Sequence, residues 1–232
     1  MTGATGRDIV IAARNVTLTL GTAAAPVGIL KGIDLDVGRG ESVAILGPSG
    51  SGKSSLMAIL SGLERATGGT VEVAGVPFTS LDEDALARAR RGRIGIVLQS
   101  FHLLPTMTAI ENVAVPMELA GQADAFARAE RELVAVGLGH RLDHYPTQLS
   151  GGEQQRVAIA RAVAPGPDLI FADEPTGNLD AATSGAIVDL LFDRKTAAGA
   201  TLLIITHDPS LAERCGRVLR MRDGLIVEDS AA

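Results

Sequence analysis

Only one cysteine, Cys215, occurs in the 232 residues. An internal disulfide is excluded, and the usage fits a reducing compartment. The thiol reads as a small buried apolar residue rather than a nucleophile. No apolar run approaches the ~18 residues that a membrane span needs. The opening stretch also lacks a basic-then-apolar leader pattern, because Asp8 and Arg14 bracket its one apolar run. The expectation is a soluble chain that inserts no segment into a membrane and reaches one only through a partner. Positive charge is short as well: the net charge is −6, which removes any bulk electrostatic reason to coat nucleic acid. Arg88, Arg90, Arg91 and Arg93 form the one obvious basic cluster, read as a solvated helix end. Lysine is scarce, with Lys31, Lys53 and Lys195 against eighteen arginines. Internal repeats and low-complexity linkers are absent. His102, His140 and His144 show no metal-ligand spacing and are read as surface or packing residues.

What is present is a globular composition, long enough to bury a core within one domain. IVIAARNVTLTL, GIDLDV and TVEVAG alternate, which predicts an antiparallel sheet. Four other runs are apolar throughout: SVAIL (42–46), IGIVL (94–98), LIFA (169–172) and TLLIIT (201–206). Strands apolar on both faces belong in a parallel sheet covered by helices. Helices are expected between them, one carrying Leu56, Ile59, Leu60 and Leu63, another over 124–136, a third from about Asp180 to Gly199. VLRMRDGLIVE reads as a hairpin with Asp223-Gly224 as its turn. The block from Phe101 to about Gln148 reads as an inserted helical lobe.

GPSGSGKS, between a buried strand and an amphipathic helix, matches the phosphate-binding loop. Gly47, Pro48, Ser49, Gly50, Ser51, Gly52, Lys53, Ser54 and Ser55 are its candidate residues. Its glycines turn backbone N–H groups toward a phosphate, Lys53 adds a compact charge, and Ser54 offers a hydroxyl to Mg²⁺. LIFADE supplies the complement. Asp173 is the candidate magnesium-shell carboxylate and Glu174 the group that polarises an attacking water; an acidic helix cap before Pro175 is the local alternative. Gln99 and His207 end two further buried strands. Gln99 is a candidate for the metal or the water, and His207 for the γ-phosphate. LSGGEQQR, at Leu149–Arg156, raises a question of its own. Its Ser-Gly-Gly start looks like a second anion site, and Ser150-x-x-Glu153 is also a capping box.

GPSGSGKS, LQSF, LSGGE, LIFADEP, GNLD and ITHD, in this order over nearly the whole chain, resemble the ATP-binding-cassette (ABC) transporter ATPases. LSGGE is the most specific element. LQSFHLLPTMTAIENV and FADEPTGNLD are similar to the subgroup serving lipoprotein release and macrolide export, and the wording is most like that of YbbA-type ATPases. The resemblance implies an α/β P-loop NTPase (RecA-like) core with an antiparallel β-subdomain, over about 1–100 and 165–232. A helical subdomain of about 101–164 is inserted in it. It implies ATP and Mg²⁺, and a head-to-tail homodimer in the ATP-bound state. Ser150, Gly151, Gly152 and Glu153 would face the partner subunit's ATP. By the same resemblance Glu174 is the general base, Asp173 and Gln99 lie in the metal shell, His207 contacts the γ-phosphate, and Asp180 couples the two sites. Phe101–Met107 would dock a transmembrane permease, placing the chain on the cytoplasmic face of the inner membrane. One departure is that no aromatic precedes Phe78 to stack the adenine; Leu20 or a neighbour stands there. The function implied is ATP-driven energising of a permease for export, lipid or lipoprotein extraction or mechanical work. The alternatives are an ABC ATPase regulating a membrane or cell-division complex, or one acting on nucleic acid or the ribosome.

Overall fold

The structure, a computed structural model, describes residues 8–22 and 25–230. The remaining residues of the expected core, at both ends and at 23–24, lie outside it. In chain order the elements begin with β1 (Ile9–Thr22), β2 (Ala25–Gly38), β3 (Ser42–Leu46), α1 (Lys53–Leu60), β4 (Gly68–Val73) and β5 (Val76–Pro77). Then come α2 (Glu83–Arg90), β6 (Ile94–Leu98), α3 (Ala109–Leu119), α4 (Ala125–Ala135), α5 (Gly151–Val163) and β7 (Leu169–Asp173). The chain closes with α6 (Ala181–Ala198), β8 (Thr201–Ile205), α7 (Pro209–Glu213), β9 (Arg217–Arg222) and β10 (Leu225–Asp229). By contacts the chain forms two compact units, one of residues 1–89 with 205–232 and one of residues 90–204.

In the first unit the alternating segments form an antiparallel sheet of order β2-β1-β4-β5. The two runs expected as short strands are each 14 residues long. They pair along almost their whole length, with a register shift between Ala13 and Val16. Asn15 makes that bulge possible: its φ is 48°, which asparagine tolerates, and its N–H donates to Asp34 Oδ1 at 2.9 Å. Val10, Ala13, Val16 and Leu18 on β1 are buried. β3 pairs in parallel with β9, Val43 against Arg217 through Leu46 against Arg220. β9 returns as β10 through Asp223 and Gly224, both at positive φ, as the hairpin reading requires. α1 is shorter than its apolar repeat suggests. It ends at Leu60, and Leu63 lies beyond it, 52% exposed. Gly62, at φ 71°, turns the chain before the repeat can be completed.

In the second unit β6 and β7 pair in parallel, Leu98 beside Asp173, and β8 flanks β7. β7 is buried along Leu169–Ala172 and β8 throughout, as strands covered on both faces must be. Cys215, in the first unit, is buried, consistent with its small apolar role. α3, α4 and α5 share one apolar core that includes Val113, Met117, Leu133, Leu149 and Val157. α6 stops where Gly199 takes the left-handed cap.

A polar side chain of α3 packs beside that helical core. Asn112 is fully buried. Its Oδ1 accepts from Leu104 N at 2.7 Å, and its Nδ2 donates to the carbonyls of Leu104, Met107 and Thr108 at 2.9–3.1 Å. It thus binds the 104–108 loop to α3. Asn112→Leu takes the partner from the Leu104 N–H and the Met107 carbonyl, while Leu104 O and Thr108 O keep the Met107 and Asn112 N–H groups, and we expect a loss of about 2–3 kcal/mol in chemical denaturation.

Candidate functional site

The first unit contains the Gly-rich loop. β3 delivers it, and β9 closes its back: a Cβ at Gly47 would collide with the Met221 carbonyl oxygen. Gly52 is the N-cap of α1, at φ 96° and with no side-chain cap. A residue with a Cβ resists that conformation, and here it would also press against Leu30 at 2.9 Å. Lys53 is buried, and its Nζ donates to the carbonyls of Gly47 and Pro48 at 2.8 and 2.9 Å. The ammonium is therefore aimed back across the loop by the loop's own carbonyls. The C-terminal hairpin completes the support, since Gly224 N–H donates to Ser51 O at 3.1 Å and Lys31 N–H to Gly224 O at 3.0 Å. Ser51 Oγ is buried and has no hydrogen-bond partner. An uncapped helix start, a folded-back lysine and an orphaned hydroxyl in one loop suit a phosphate.

His207 lies beside this loop by backbone pairing. Thr206 N–H donates to Ile45 O at 3.2 Å, which sets His207 against the end of β3, where the loop departs. Thr206 is buried and His207 exposed. Asp208 then caps α7, accepting from Ser210 N and Oγ at 2.8 Å each, and these bonds hold its carboxyl below the usual range. Leu20 is 48% exposed near the end of β1.

The second unit brings the other candidates together. Gln99 and Glu174 each follow the last paired rung of the parallel strands, Leu98 with Asp173. Gln99 is held by Asn178: its Nε2 donates to Asn178 Oδ1 at 3.2 Å, and Asn178 Nδ2 donates to Gln99 O at 2.9 Å. The pair thus holds the Gln99 carboxamide by its nitrogen. Glu174 has a φ of 44°, a left-handed conformation unusual for glutamate and further disfavoured before proline. His102 and Phe101 are also left-handed, at φ 47° and 59°. Arg161 of α5 clamps both, donating to their carbonyls at 2.6 and 2.8 Å, and burial lowers the pKa of its guanidinium. Phe101 is half-buried, Leu103 packs on the helical core, and Leu104 is the large apolar residue of 101–107 that stands exposed.

The LSGGE stretch is the N-terminus of α5. Ser150 Oγ accepts from Glu153 N at 3.3 Å, and Glu153 Oε2 accepts from Ser150 N and Oγ at 2.8 Å each. The capping box read from the sequence is thus present. Those two bonds, with Arg141 at 3.1 Å, depress the Glu153 pKa. An open cavity of about 560 Å³ gathers Ser150, Gly151, Gly152 and Glu153 with Asn178 and Asp180. Asp180 caps α6, taking Thr183 N at 3.0 Å and Thr183 Oγ1 at 2.7 Å. Asn178 and Thr183 were not among the residues singled out by sequence, although GNLD carried the first of them.

Comparisons with known proteins identify the family. The ABC transporter family model matches residues 30–177. The uncharacterized ABC transporter ATP-binding protein YbbA of Escherichia coli is 48% identical over 95% of this chain and 98% of its own. The lipoprotein-releasing system ATP-binding protein LolD of Anaeromyxobacter dehalogenans is 53% identical, over 87% of this chain and 85% of its own. The macrolide export ATP-binding/permease protein MacB of Marinobacter nauticus is 51% identical over 94% of this chain, which spans 34% of it. Among solved structures, a dimeric post-hydrolysis state of the ATP-binding cassette MJ0796 bound to ADP and Pi superposes with a TM-score of 0.87. It is 38% identical and covers 95% of this chain and 97% of its own. The chain belongs to the ABC transporter family, as one of its ATP-binding cassette ATPases.

Proposed function

We propose that the chain powers a separate transmembrane permease by closing on ATP as a head-to-tail homodimer and reopening on hydrolysis. The observation that carries this reading is the pairing of two anion-facing structures in one chain. The Gly-rich loop lies in one unit and the Ser150–Glu153 helix start opens on a cavity in the other. A nucleotide held between the loop of one subunit and the Ser150 end of the next uses both. The dimeric cassette bound to ADP and Pi supports that assembly.

Lys53 and the N–H groups at the start of α1 take the β- and γ-phosphates. Ser54, Gln99 and Asp173 are the oxygen donors that suit magnesium, which when bound neutralises the phosphate oxygens and fixes their orientation. Glu174 takes a proton from the attacking water. His207 contacts the γ-phosphate. Ser150, Gly151 and Gly152 hold the partner subunit's ATP, and Asp180 couples the two sites through its cap on α6. Glu153 shapes the helix end. Phe101–Met107, fastened by Arg161 and Asn112 with Leu104 exposed, docks the permease.

No helix of the described residues is long and apolar enough to cross a membrane, so the reading puts the chain on the cytoplasmic face of the inner membrane through its partner. The names of LolD and MacB, lipoprotein release and macrolide export, favour work on envelope or hydrophobic substrates. The net charge of −6 weighs against a nucleic-acid target. The expected result from detergent-solubilised membranes is that the tagged chain retains an integral permease and that Leu104→Glu releases it. Equal recovery with both chains counts against docking at this loop.

A further inference from the structure

Gln155 interrupts the apolar stripe of α5 that Ala158, Ile159 and Ala162 continue, and it is fully buried. Its Nε2 donates to the Pro175 carbonyl at 2.6 Å. Its Oε1 is buried with no hydrogen-bond partner. A buried acceptor left unpaired is a net cost that leucine or methionine would avoid at the same volume. Packing alone therefore does not explain a glutamine here.

The other end of the bond explains it. Pro175 follows Glu174, whose left-handed φ of 44° is strained for a residue with a Cβ and strained again by the proline after it. Strain of this kind persists only where the surroundings hold it. Gly177 N–H donates to Glu174 O at 3.0 Å and closes the turn from within. Proline offers no N–H of its own. Gln155 supplies an anchor from another element.

We propose that Gln155 is a positioning residue for hydrolysis: its amide holds the strained Glu174–Pro175 turn, and thereby the Glu174 carboxylate, on α5. The inference rests on the reading of Glu174 as the general base. Without the anchor the turn relaxes toward negative φ, and the carboxylate leaves its place while keeping its charge. The Gly-rich loop lies in the other unit and is untouched, so the defect falls on turnover and not on nucleotide affinity. The helix that begins at Ser150 then also sets the base of its own chain.

The test is Gln155→Met in the full chain, which keeps side-chain length and removes the donor. The expected result is a kcat at least about tenfold lower, with KM for ATP within about twofold, and faster hydrogen exchange at the Gly177 amide. A merely structural role would lower the melting temperature and leave kcat per folded molecule unchanged. Should that variant not fold, Gln155→Asn keeps the amide but is one methylene too short to reach Pro175, and the same three readouts apply. A kcat within about twofold of wild type in either folded variant overturns the proposal. Loss of hydrolysis in Glu174→Gln alongside normal Gln155→Met turnover overturns this inference alone. Full hydrolysis by Glu174→Gln overturns the base reading beneath it.

Discussion

Glu174→Gln is expected to lower ATP hydrolysis at least about a hundredfold while leaving ATP affinity intact. Glutamine has nearly the shape of glutamate but cannot accept the proton of an attacking water. Both residues carry a Cβ, so the left-handed backbone at this position is no more strained in the variant than in the native chain. The binding groups of the Gly-rich loop, Lys53 above all, are unchanged. ATP then closes the dimer and nothing reopens it, so gel filtration with ATP should show a dimer that the wild-type chain holds only transiently. Hydrolysis at the wild-type rate would remove Glu174 from the role of base.

The second large effect comes from mixing two inactive chains. Lys53→Met keeps the buried stem and removes the charge that the Gly47 and Pro48 carbonyls orient. Ser150→Asp keeps an acceptor for the Glu153 N–H, gives up the hydroxyl's bond to Glu153 Oε2, and sets a negative charge where a phosphate would approach. Each variant alone forms a dimer with two defective sites, and its rate should fall at least about a hundredfold. In a mixed dimer both lesions fall in one site, and the other combines an intact Gly-rich loop with an intact Ser150 end. An equal mixture should therefore recover about a quarter of the wild-type rate, since half the dimers are mixed and each has one working site of two. An unrecovered mixture would mean that each chain hydrolyses ATP within itself.

Much of this site was legible because its parts sit at the ends of apolar runs. SVAIL and IGIVL became β3 and β6 with the expected bounds, and TLLIIT became β8 without its last residue, Thr206. A strand buried on both faces has almost no polar sequence to confuse the reading, and the residue after it is carried to the sheet's edge. The Ser150–Glu153 box was legible because both partners lie within one helical turn. Leu63 was misplaced because an apolar repeat does not register a turn glycine. Gln155, Asn178, Asn112 and Arg161 escaped for a different reason. Each bonds wholly or partly to backbone carbonyls in loops, and only Asn178 also meets a partner side chain, that of Gln99, 79 positions away. The one signal was negative: Asn112 and Gln155 stand on apolar faces where polar atoms need a reason to be.

The hairpin turn that braces the Gly-rich loop has a consequence for biosynthesis. Ser51 takes its hydrogen bond from Gly224, and the space beside Gly47 is filled by Met221. More than 170 residues separate the members of each pair, since 224 − 51 = 173 and 221 − 47 = 174. A nascent chain thus displays the whole GPSGSGKS motif long before the strand that backs it has left the ribosome. Until then the loop lacks its floor, and growing chains have no finished cradle with which to capture nucleotide or one another.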